Sequence, residues 1–340
     1  MFFTPADVAE RPFWRLFFGF MQAAADDLGV DLRVITSDNR FKVLQTARTA
    51  LSYKVPDYAL YVYQCNITVD VLPLMEKAGV KSIICNTQPV ANSREDVGLP
   101  GEKFSQWIGQ ITPDNEAAGH LAAELLIERG ISLGLTARDG KLHMACLGAS
   151  DIVSSAHLRR QGMEDAVSED PHAVVDRFIS ADWQREKAHY KAVRMLDMYP
   201  LAHAYWAASD SMALGILDAA REKGLTPSVN FLAVGIDWTE GGVQAVRDGQ
   251  LLATIGGHFM EGAWALIMAL DHFNGHEFTQ PVHKSRMQAL TRDNLTAYLP
   301  VLDQKNWERI DFKRFSKSFT PCVADYEFTP EAVLRQLAGK

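Results

Sequence analysis

Hydrophobic and polar positions along the chain alternate between two periods, one typical of short buried strands and one typical of amphipathic helices. The first helix is predicted at Phe13–Leu28, where Gly29 ends the apolar spacing. Strands and helices then follow in turn, at Val30–Thr36 (strand), Phe41–Tyr53 (helix), Tyr58–Tyr63 (strand), Val69–Ala78 (helix) and Lys81–Cys85 (strand). Strands separated by helices of this length predict a parallel sheet with right-handed crossovers.

The same alternation starts again after Pro113. Helices are predicted at Asp114–Arg129, Ala156–Ser168, Trp183–Met198, Met212–Lys223, Gly241–Asp248 and Glu261–Phe273. The intervening strands are predicted at Lys141–Gly148, Val174–Ile179, Ala204–Ala208, Phe231–Ile236 and Leu251–Ile255. The sequence therefore predicts an α/β fold with two doubly wound, Rossmann-like lobes, each built on a parallel sheet.

Length and composition agree with a soluble two-domain protein. A chain of 340 residues exceeds the usual size of one domain. Its formal charge of -8 argues against nucleic acid or an anionic membrane as a partner. The four cysteines have no metal-type spacing and are expected to be free thiols; they are Cys65, Cys85, Cys146 and Cys322.

Motifs for covalent, nucleotide or metal chemistry are missing from the sequence. No GxGxxG follows a first strand and no GxxxxGK[ST] occurs, so a bound nucleotide has no support. GxSxG and HExxH are also absent, and the histidines do not cluster at metal-ligand spacing. We therefore expect a protein that is not an enzyme and that needs no cofactor and no metal.

Aromatic, amide and charged residues are concentrated where the predicted strands end. Ligands of open α/β sheets bind at the carboxyl ends of the strands. Amide, carboxylate and guanidinium groups can hydrogen-bond neighbouring hydroxyls, and an aromatic ring can cover the apolar face of a sugar. This mixture of residue types indicates a site for a sugar or a similar polar molecule.

Each of these residues also has a structural alternative. Trp14 and Trp183 stand at predicted helix starts and could be core anchors, and Asn86 with Thr87 could begin a turn. Asp237 could cap the helix that follows it. His157 taken alone is more typical of a structural residue. The placement of all these residues together at strand ends is what indicates a ligand site.

Several segments resemble the periplasmic binding protein type I family, in its ribose- and galactose-like sugar-binding branch. The segment ASDSMALG at 208–215 is similar to the family motif N-D-x-M-A-L-G, and VGID at 234–237 is similar to V-x-G-x-D. GQLLATI at 249–255, Pro12-Phe13-Trp14 and PDNEAAG at 113–119 match further family segments. The resemblance extends through most of Met1–Leu299.

The resemblance implies a set of ligand-binding residues, namely Arg11, Phe13, Trp14, Asn86, Thr87, His157, Trp183, Ser209, Asp237 and either Gly257 or His258. Four positions depart from the family pattern. Asn86-Thr87 stands where Asp-Arg is usual, His157 replaces an arginine and Ser209 replaces an asparagine. Arg159 lies close by and could supply the missing guanidinium, so we include it in the set. These departures argue against plain ribose or galactose as the ligand.

The family fold implies two lobes joined by a three-strand hinge, with a ligand cleft between them that closes on the ligand. We expect residues 1–113 with 259–292 in the N-terminal lobe, and 114–257 with 293–340 in the C-terminal lobe. Residues after about Pro300 form an extension with apolar anchors. We expect this extension to be part of the C-terminal lobe and to pack across the lobes.

By the same resemblance, the chain delivers its ligand to an ABC transporter permease in the periplasm as a monomer, its signal peptide having been removed or omitted. A binding protein that reports to a membrane histidine kinase is an open alternative. So is the effector domain of a LacI-like regulator, although the chain begins at the first strand without a DNA-binding headpiece. An enzyme on a doubly wound scaffold is a further alternative, for which a catalytic constellation is missing.

Overall fold

Two sheets of six strands carry the fold. The computed structural model describes residues 1–5, 11–37, 42–62, 70–89, 95–278, 280–320 and 325–339. Its strands are β1 (Phe2–Pro5), β2 (Val34–Ser37), β3 (Tyr58–Tyr61), β4 (Lys81–Cys85), β5 (Trp107–Pro113), β6 (Leu142–Gly148), β7 (Ala173–Ser180), β8 (Ala202–Ala207), β9 (Leu232–Ile236), β10 (Ala253–Gly256), β11 (Val282–Ser285) and β12 (Gln288–Leu290).

Helices cover both sheets. They are α1 (Pro12–Leu28), α2 (Val43–Tyr53), α3 (Val71–Ala78), α4 (Asn115–Ser132), α5 (Ser154–Glu169), α6 (Arg185–Met198), α7 (Asp210–Glu222), α8 (Glu240–Arg247), α9 (Glu261–Phe273), α10 (Leu295–Leu302) and α11 (Pro330–Ala338). Three short 3-10 turns lie at His258–Met260, Gln304–Arg309 and Phe312–Phe315. No helix among the described residues is long and apolar enough to cross a membrane.

Strand order confirms the doubly wound α/β prediction. The first sheet runs β11-β5-β4-β3-β1-β2 with all of its pairs parallel. The second runs β12-β10-β9-β8-β6-β7 and is parallel except for the antiparallel pair of β10 with β12. The chain reverses direction across the sheet between β1 and β3 in the first and between β6 and β8 in the second. Ligands of such sheets bind beside these switch points.

The contacts divide the chain into two units, which we describe separately. The first comprises Met1–Pro113, His258–Arg286 and Tyr298–Lys340, and the second comprises Asp114–Gly257 and Met287–Ala297. Met287–Ala297 belongs to the second unit because β12 pairs with β10 at the edge of that sheet. The expected division had instead carried the N-terminal lobe on to residue 292.

The C-terminal extension belongs to the first unit, which corrects the expectation that residues 293–340 join the C-terminal lobe. The side chains of Trp307 and Phe312 pack edge-on against Phe20 of α1. Phe328 stacks on Trp264 of α9 with ring centroids 4.8 Å apart. Aromatic rings bury a large apolar area, so this cluster holds the extension on the helices of the first unit.

Small side chains allow the helices of the second unit to approach the sheet and one another closely. Its core includes ten or more fully buried alanines beside larger residues such as Trp206, Tyr205 and Met163. Cys146 lies in this core, and Cys85 is buried in the first unit; both are free thiols. Cys65 and Cys322 lie outside the described residues, as do the predicted element ends Phe41, Tyr63 and Val69.

Candidate functional site

A buried ion pair lies at the carboxyl ends of β6, β8 and β9 in the second unit. One nitrogen of the Arg159 guanidinium, Nη1, donates to Asp237 Oδ1 at 3.1 Å and to the carbonyl oxygen of Ala208 at 2.7 Å. The two side chains are only 4% and 12% exposed. Arg159 reaches this position from α5, and Asp237 follows β9 directly. The pair therefore brings together the helix after β6 and the loops after β8 and β9.

Arg159 is held in place because two helices meet there backbone to backbone. A Cβ on Gly119 of α4 would lie 1.9 Å from the carbonyl oxygen of Arg159, and a Cβ on Gly162 of α5 would lie 1.9 Å from that of Glu116. Only glycine permits this approach. It allows Arg159 Nε to donate to Asn115 Oδ1 at 2.8 Å, at the start of α4.

Gly119→Ala is expected to destabilise the second unit by about 1–3 kcal/mol, because the added methyl forces the two helices apart. The same displacement separates Arg159 from Asn115. Thermal unfolding of Gly119→Ala and of the control Gly339→Ala measures this cost. Gly339 has no heavy atom closer than 3.4 Å to an added Cβ. Equal melting temperatures for both variants and the wild type would contradict the close approach.

The turn that presents Asp237 has an unfavourable backbone. Asp237 has φ 132° and Trp238 has φ 58°, a region that side chains other than glycine rarely adopt. Such residues cost on the order of 1–3 kcal/mol each and persist where neighbours fix them. Trp238 is fixed by its indole, which donates to the carbonyl oxygens of Thr254 and Gln288 at 3.1 Å each. Its ring lies where a Cβ on Gly256 would stand.

Asp210 lies beneath this turn as a fully buried carboxylate. It accepts from the backbone N–H and the hydroxyl of Thr239, and from the hydroxyl of Thr254 at 2.6 Å. Burial and then the charge of Asp237 raise the pKa of Asp210 to about 7. A Cβ at Gly235 or Gly242 would lie within 2.4 Å of its carboxylate oxygens, so the packing around Asp210 needs glycine at both positions.

Trp183 also stands on a strained backbone, after β7. Asp182 and Trp183 both have left-handed φ values, 52° and 64°. Trp183 is half-buried, and the Arg159 guanidinium carbon lies 5.8 Å from its ring centroid. An arginine at this distance interacts favourably with the ring. Trp183 precedes α6, which begins at Arg185, so the helix predicted from Trp183 starts two residues later.

Ser209 and His157 are two further predicted site residues, and their surroundings differ from those of the Arg159–Asp237 pair. Ser209 is buried and caps α7, where its hydroxyl accepts from the backbone N–H of Met212 at 3.3 Å. His157 is exposed on α5. It stands two residues from Arg159, and residues at that spacing do not face each other on a helix. The guanidinium at this site therefore comes from Arg159.

In the first unit, aromatic side chains gather at the start of α1. The Phe13 ring stacks on the buried His258 ring, with centroids 4.6 Å apart and planes 23° from parallel. The Trp14 ring meets Phe13 edge-on at 5.2 Å. Arg11 is exposed and directly precedes the helix. Phe13 and Trp14 are each half-buried, so part of each ring faces outward.

Polar groups follow β4 in the same unit. Asn86 is buried with φ 66°, a conformation that asparagine tolerates better than most residues. Its amide nitrogen lies 3.5 Å from the carboxylate of Glu261, which also accepts from Ser285. The Thr87 hydroxyl is buried and has no hydrogen-bond partner among the residues that the structure describes. A buried hydroxyl without a partner costs free energy, so it is suited to a ligand that supplies one.

Comparison with known proteins decides the family. A model described as a periplasmic binding protein domain matches residues 2–277. The chain belongs to the periplasmic binding protein family. A periplasmic sugar-binding protein from Pseudomonas fluorescens, of known structure, is 30% identical over 99% of this chain and 98% of its own, with a TM-score of 0.86. A Mycobacterium smegmatis structure in complex with beta-D-fucofuranose shares the fold at 19% identity and a TM-score of 0.76, over 90% of this chain and 96% of its own.

Curated relatives of this periplasmic binding protein match over shorter stretches. The xylitol-binding protein of Mycolicibacterium smegmatis is 29% identical over 55% of this chain and 51% of its own. The D-allose-binding periplasmic protein of Escherichia coli is 30% identical over 43% of this chain and 44% of its own. The chain thus spans about half the length of these curated relatives.

The structure sorts the predicted site residues of this periplasmic binding protein into groups. In the second unit it brings Arg159, Asp237 and Trp183 together. In the first unit it brings Phe13, Trp14 and His258 together, with Asn86 and Thr87 at the end of β4. The helix-cap alternative for Asp237 is wrong, because Thr239 caps α8 by accepting from Gly242.

Three buried polar residues of these groups were not predicted as site residues: Asn115, Asp210 and Glu261. Asp210 stands inside the segment that resembles the family motif, directly after Ser209, which was predicted as the ligand-binding residue. Glu261 stands at the start of a helix whose next nine residues are apolar, and a carboxylate in that place is a signal that could have found it. Across the described ranges, no cluster of His, Cys, Asp and Glu is arranged to hold a metal ion.

Proposed function

We propose that this periplasmic binding protein captures a small neutral sugar or polyol. The proposal depends above all on the Arg159–Asp237 pair, because its two planar charged groups are buried and fixed at the carboxyl ends of the strands. Planar donors and acceptors held in this way can bond adjacent hydroxyls of one ring. The capture involves no covalent change.

Aromatic faces beside the polar groups support a sugar-like ligand. Trp183 lies beside the ion pair in the second unit. In the first unit, Phe13 and Trp14 lie at the start of α1. A ring against the C–H face of a sugar buries its apolar surface while the hydroxyls bond at the edge. The whole-length likeness to a sugar-binding protein supports the same class of ligand.

The charges of the second unit favour a neutral ligand. Its site contains one guanidinium, on Arg159, and two buried carboxylates, on Asp237 and Asp210. The cation already faces Asp237 at 3.1 Å, so its charge is compensated. An anionic sugar would bring a further negative charge to two buried carboxylates, which costs free energy in a low-dielectric environment.

As its role we propose delivery of the ligand to an ABC importer in the periplasm. Support comes from the curated relatives, several of which carry import or periplasmic binding in their names. A monomeric state is part of the same proposal.

Calorimetric titration with a panel of neutral and charged compounds tests the ligand class. The panel includes D-allose, D-ribose, xylitol, myo-inositol, a uronic acid, an amino acid and a sugar phosphate. We expect saturable binding of at least one neutral sugar or polyol and none of the uronic acid or the phosphate. Tight binding of an amino acid or an anionic sugar, with no neutral polyol bound, would overturn the proposal.

Thr87→Val is expected to weaken binding of the tightest panel member by about tenfold, because it removes one hydrogen bond to the ligand. Valine has almost the same shape, and the lost hydroxyl has no partner among the described residues, so stability should stay the same or rise slightly. Titration and thermal unfolding of the same variant separate the two effects. Unchanged affinity would remove Thr87 from the site.

A further inference from the structure

Asp210 connects to the strained turn of Asp237 through two threonine hydroxyls. The Thr254 hydroxyl donates to Asp210 and accepts from the backbone N–H of Trp238 at 3.3 Å. The Thr239 hydroxyl donates to the same carboxylate and accepts from the backbone N–H of Gly242. Each hydroxyl thus points its hydrogen at Asp210 and leaves its oxygen for a backbone N–H. An ionised carboxylate can only accept hydrogen bonds, so Asp210 sets the direction of both hydroxyls.

We propose that Asp210 is a positioning residue that fixes the Asp237–Trp238 turn, and through it the ligand-binding carboxylate of Asp237. This inference rests on the proposed function, since it assigns Asp237 a role in ligand binding. Asp210 itself has no exposed surface and cannot touch a ligand.

The surrounding glycines support a specific role for this carboxylate. Gly235 precedes the turn in β9 and Gly242 follows it in α8, and both leave the space that the Asp210 oxygens occupy. A hydrophobic side chain at position 210 would fill the same space without orienting either hydroxyl. The turn would then lose the bonds to Trp238 and Thr239 that offset its unfavourable backbone.

Thr254→Val and Thr254→Ser form a matched pair for the test. Valine keeps the shape of threonine and removes the hydroxyl, whereas serine keeps the hydroxyl. We measure hydrogen exchange of the peptide covering residues 237–242 without ligand, and calorimetric affinity for D-allose and xylitol. Thr254→Val is expected to speed exchange of the turn and to weaken binding by about tenfold, and Thr254→Ser is expected to restore both.

Each outcome decides the proposal. Exchange and affinity equal to those of the wild type in Thr254→Val overturn it, and so does faster exchange with unchanged affinity, because the turn would then not position a ligand-binding group. Weaker affinity without faster exchange also overturns it. If no neutral compound of the panel binds the wild type, the proposed function loses its support, and the exchange rates alone decide whether Asp210 fixes the turn.

A second variant covers the case in which Thr254→Val does not fold. Asp210→Asn keeps the shape of the carboxylate but presents an amide nitrogen to one of the two hydroxyls. The proposal predicts faster exchange and weaker binding for it as well. Wild-type exchange in a folded Asp210→Asn variant contradicts the proposal.

Discussion

Replacing Arg159 by methionine and Asp237 by asparagine in the same chain is expected to recover most of the stability that either substitution alone removes, without recovering ligand binding. Each single substitution leaves one buried charge without its partner, which costs about 3–5 kcal/mol. The double variant removes both charges of this pair, so neither is left without its partner and much of this cost disappears. In the proposed site the charged groups themselves bond the ligand, so binding should stay at least tenfold weaker in all three variants.

Urea denaturation and titration with the tightest member of the sugar panel measure the two effects separately. The pair of Arg185 with Asp218 is the control, because it is a direct ion pair on more exposed side chains of the same unit, with hydrogen bonds of 2.7 and 2.9 Å. Arg185→Met should cost no more than about 1 kcal/mol and leave affinity unchanged. If the double variant binds as tightly as the wild type, the pair is structural and lies outside the site.

Asp271→Asn is expected to destabilise the first unit by about 3 kcal/mol or more and to release the C-terminal extension. Asp271 is fully buried on α9 and accepts from the hydroxyls of Ser316, Ser318 and Tyr326, and from the backbone N–H groups of Lys317 and Ser318. The amide nitrogen of asparagine would face donors at whichever oxygen position it takes. Each unsatisfied donor costs about 1–3 kcal/mol.

Thermal unfolding and limited proteolysis of the extension measure this effect. Tyr326→Phe is the graded control, because it removes one donor at 3.0 Å and leaves the carboxylate with the other four. We expect it to cost about 1 kcal/mol and to leave the extension resistant to protease. An Asp271→Asn variant with the wild-type melting temperature would show that the aromatic cluster alone holds the extension.

Periodicity predicted most elements of the fold from the sequence because each helix and strand buries one face. The strand Lys81–Cys85 and the helix Glu261–Phe273 have the predicted bounds. The strands β5, β11 and β12 were not predicted. The last two are edge strands of only four and three residues. The place of the extension depends on aromatic contacts between distant parts of the chain, which no local pattern contains.

The polar groups of the site were harder to predict than its position. The strand ends located Asp237, Trp183 and Asn86, since every parallel strand of a sheet ends at the same edge. Which side chains pair there depends on how closely helices approach. The choice of Arg159 over His157 follows from the contact of α4 with α5 at Gly119, a feature of two helices that a single sequence does not display.

The route of the chain through the first unit sets an order of folding. Synthesis completes β1–β5 early, but α9, which packs on β4 and β5, follows more than 140 residues later, and the aromatic anchors of the extension come later still. The second unit lacks only its edge strand β12 when the chain has reached Gly257. Contacts that close long loops form slowly, because the chain loses conformational entropy before the contacts contribute favourable free energy. We therefore expect the unit that contains β1 to fold last.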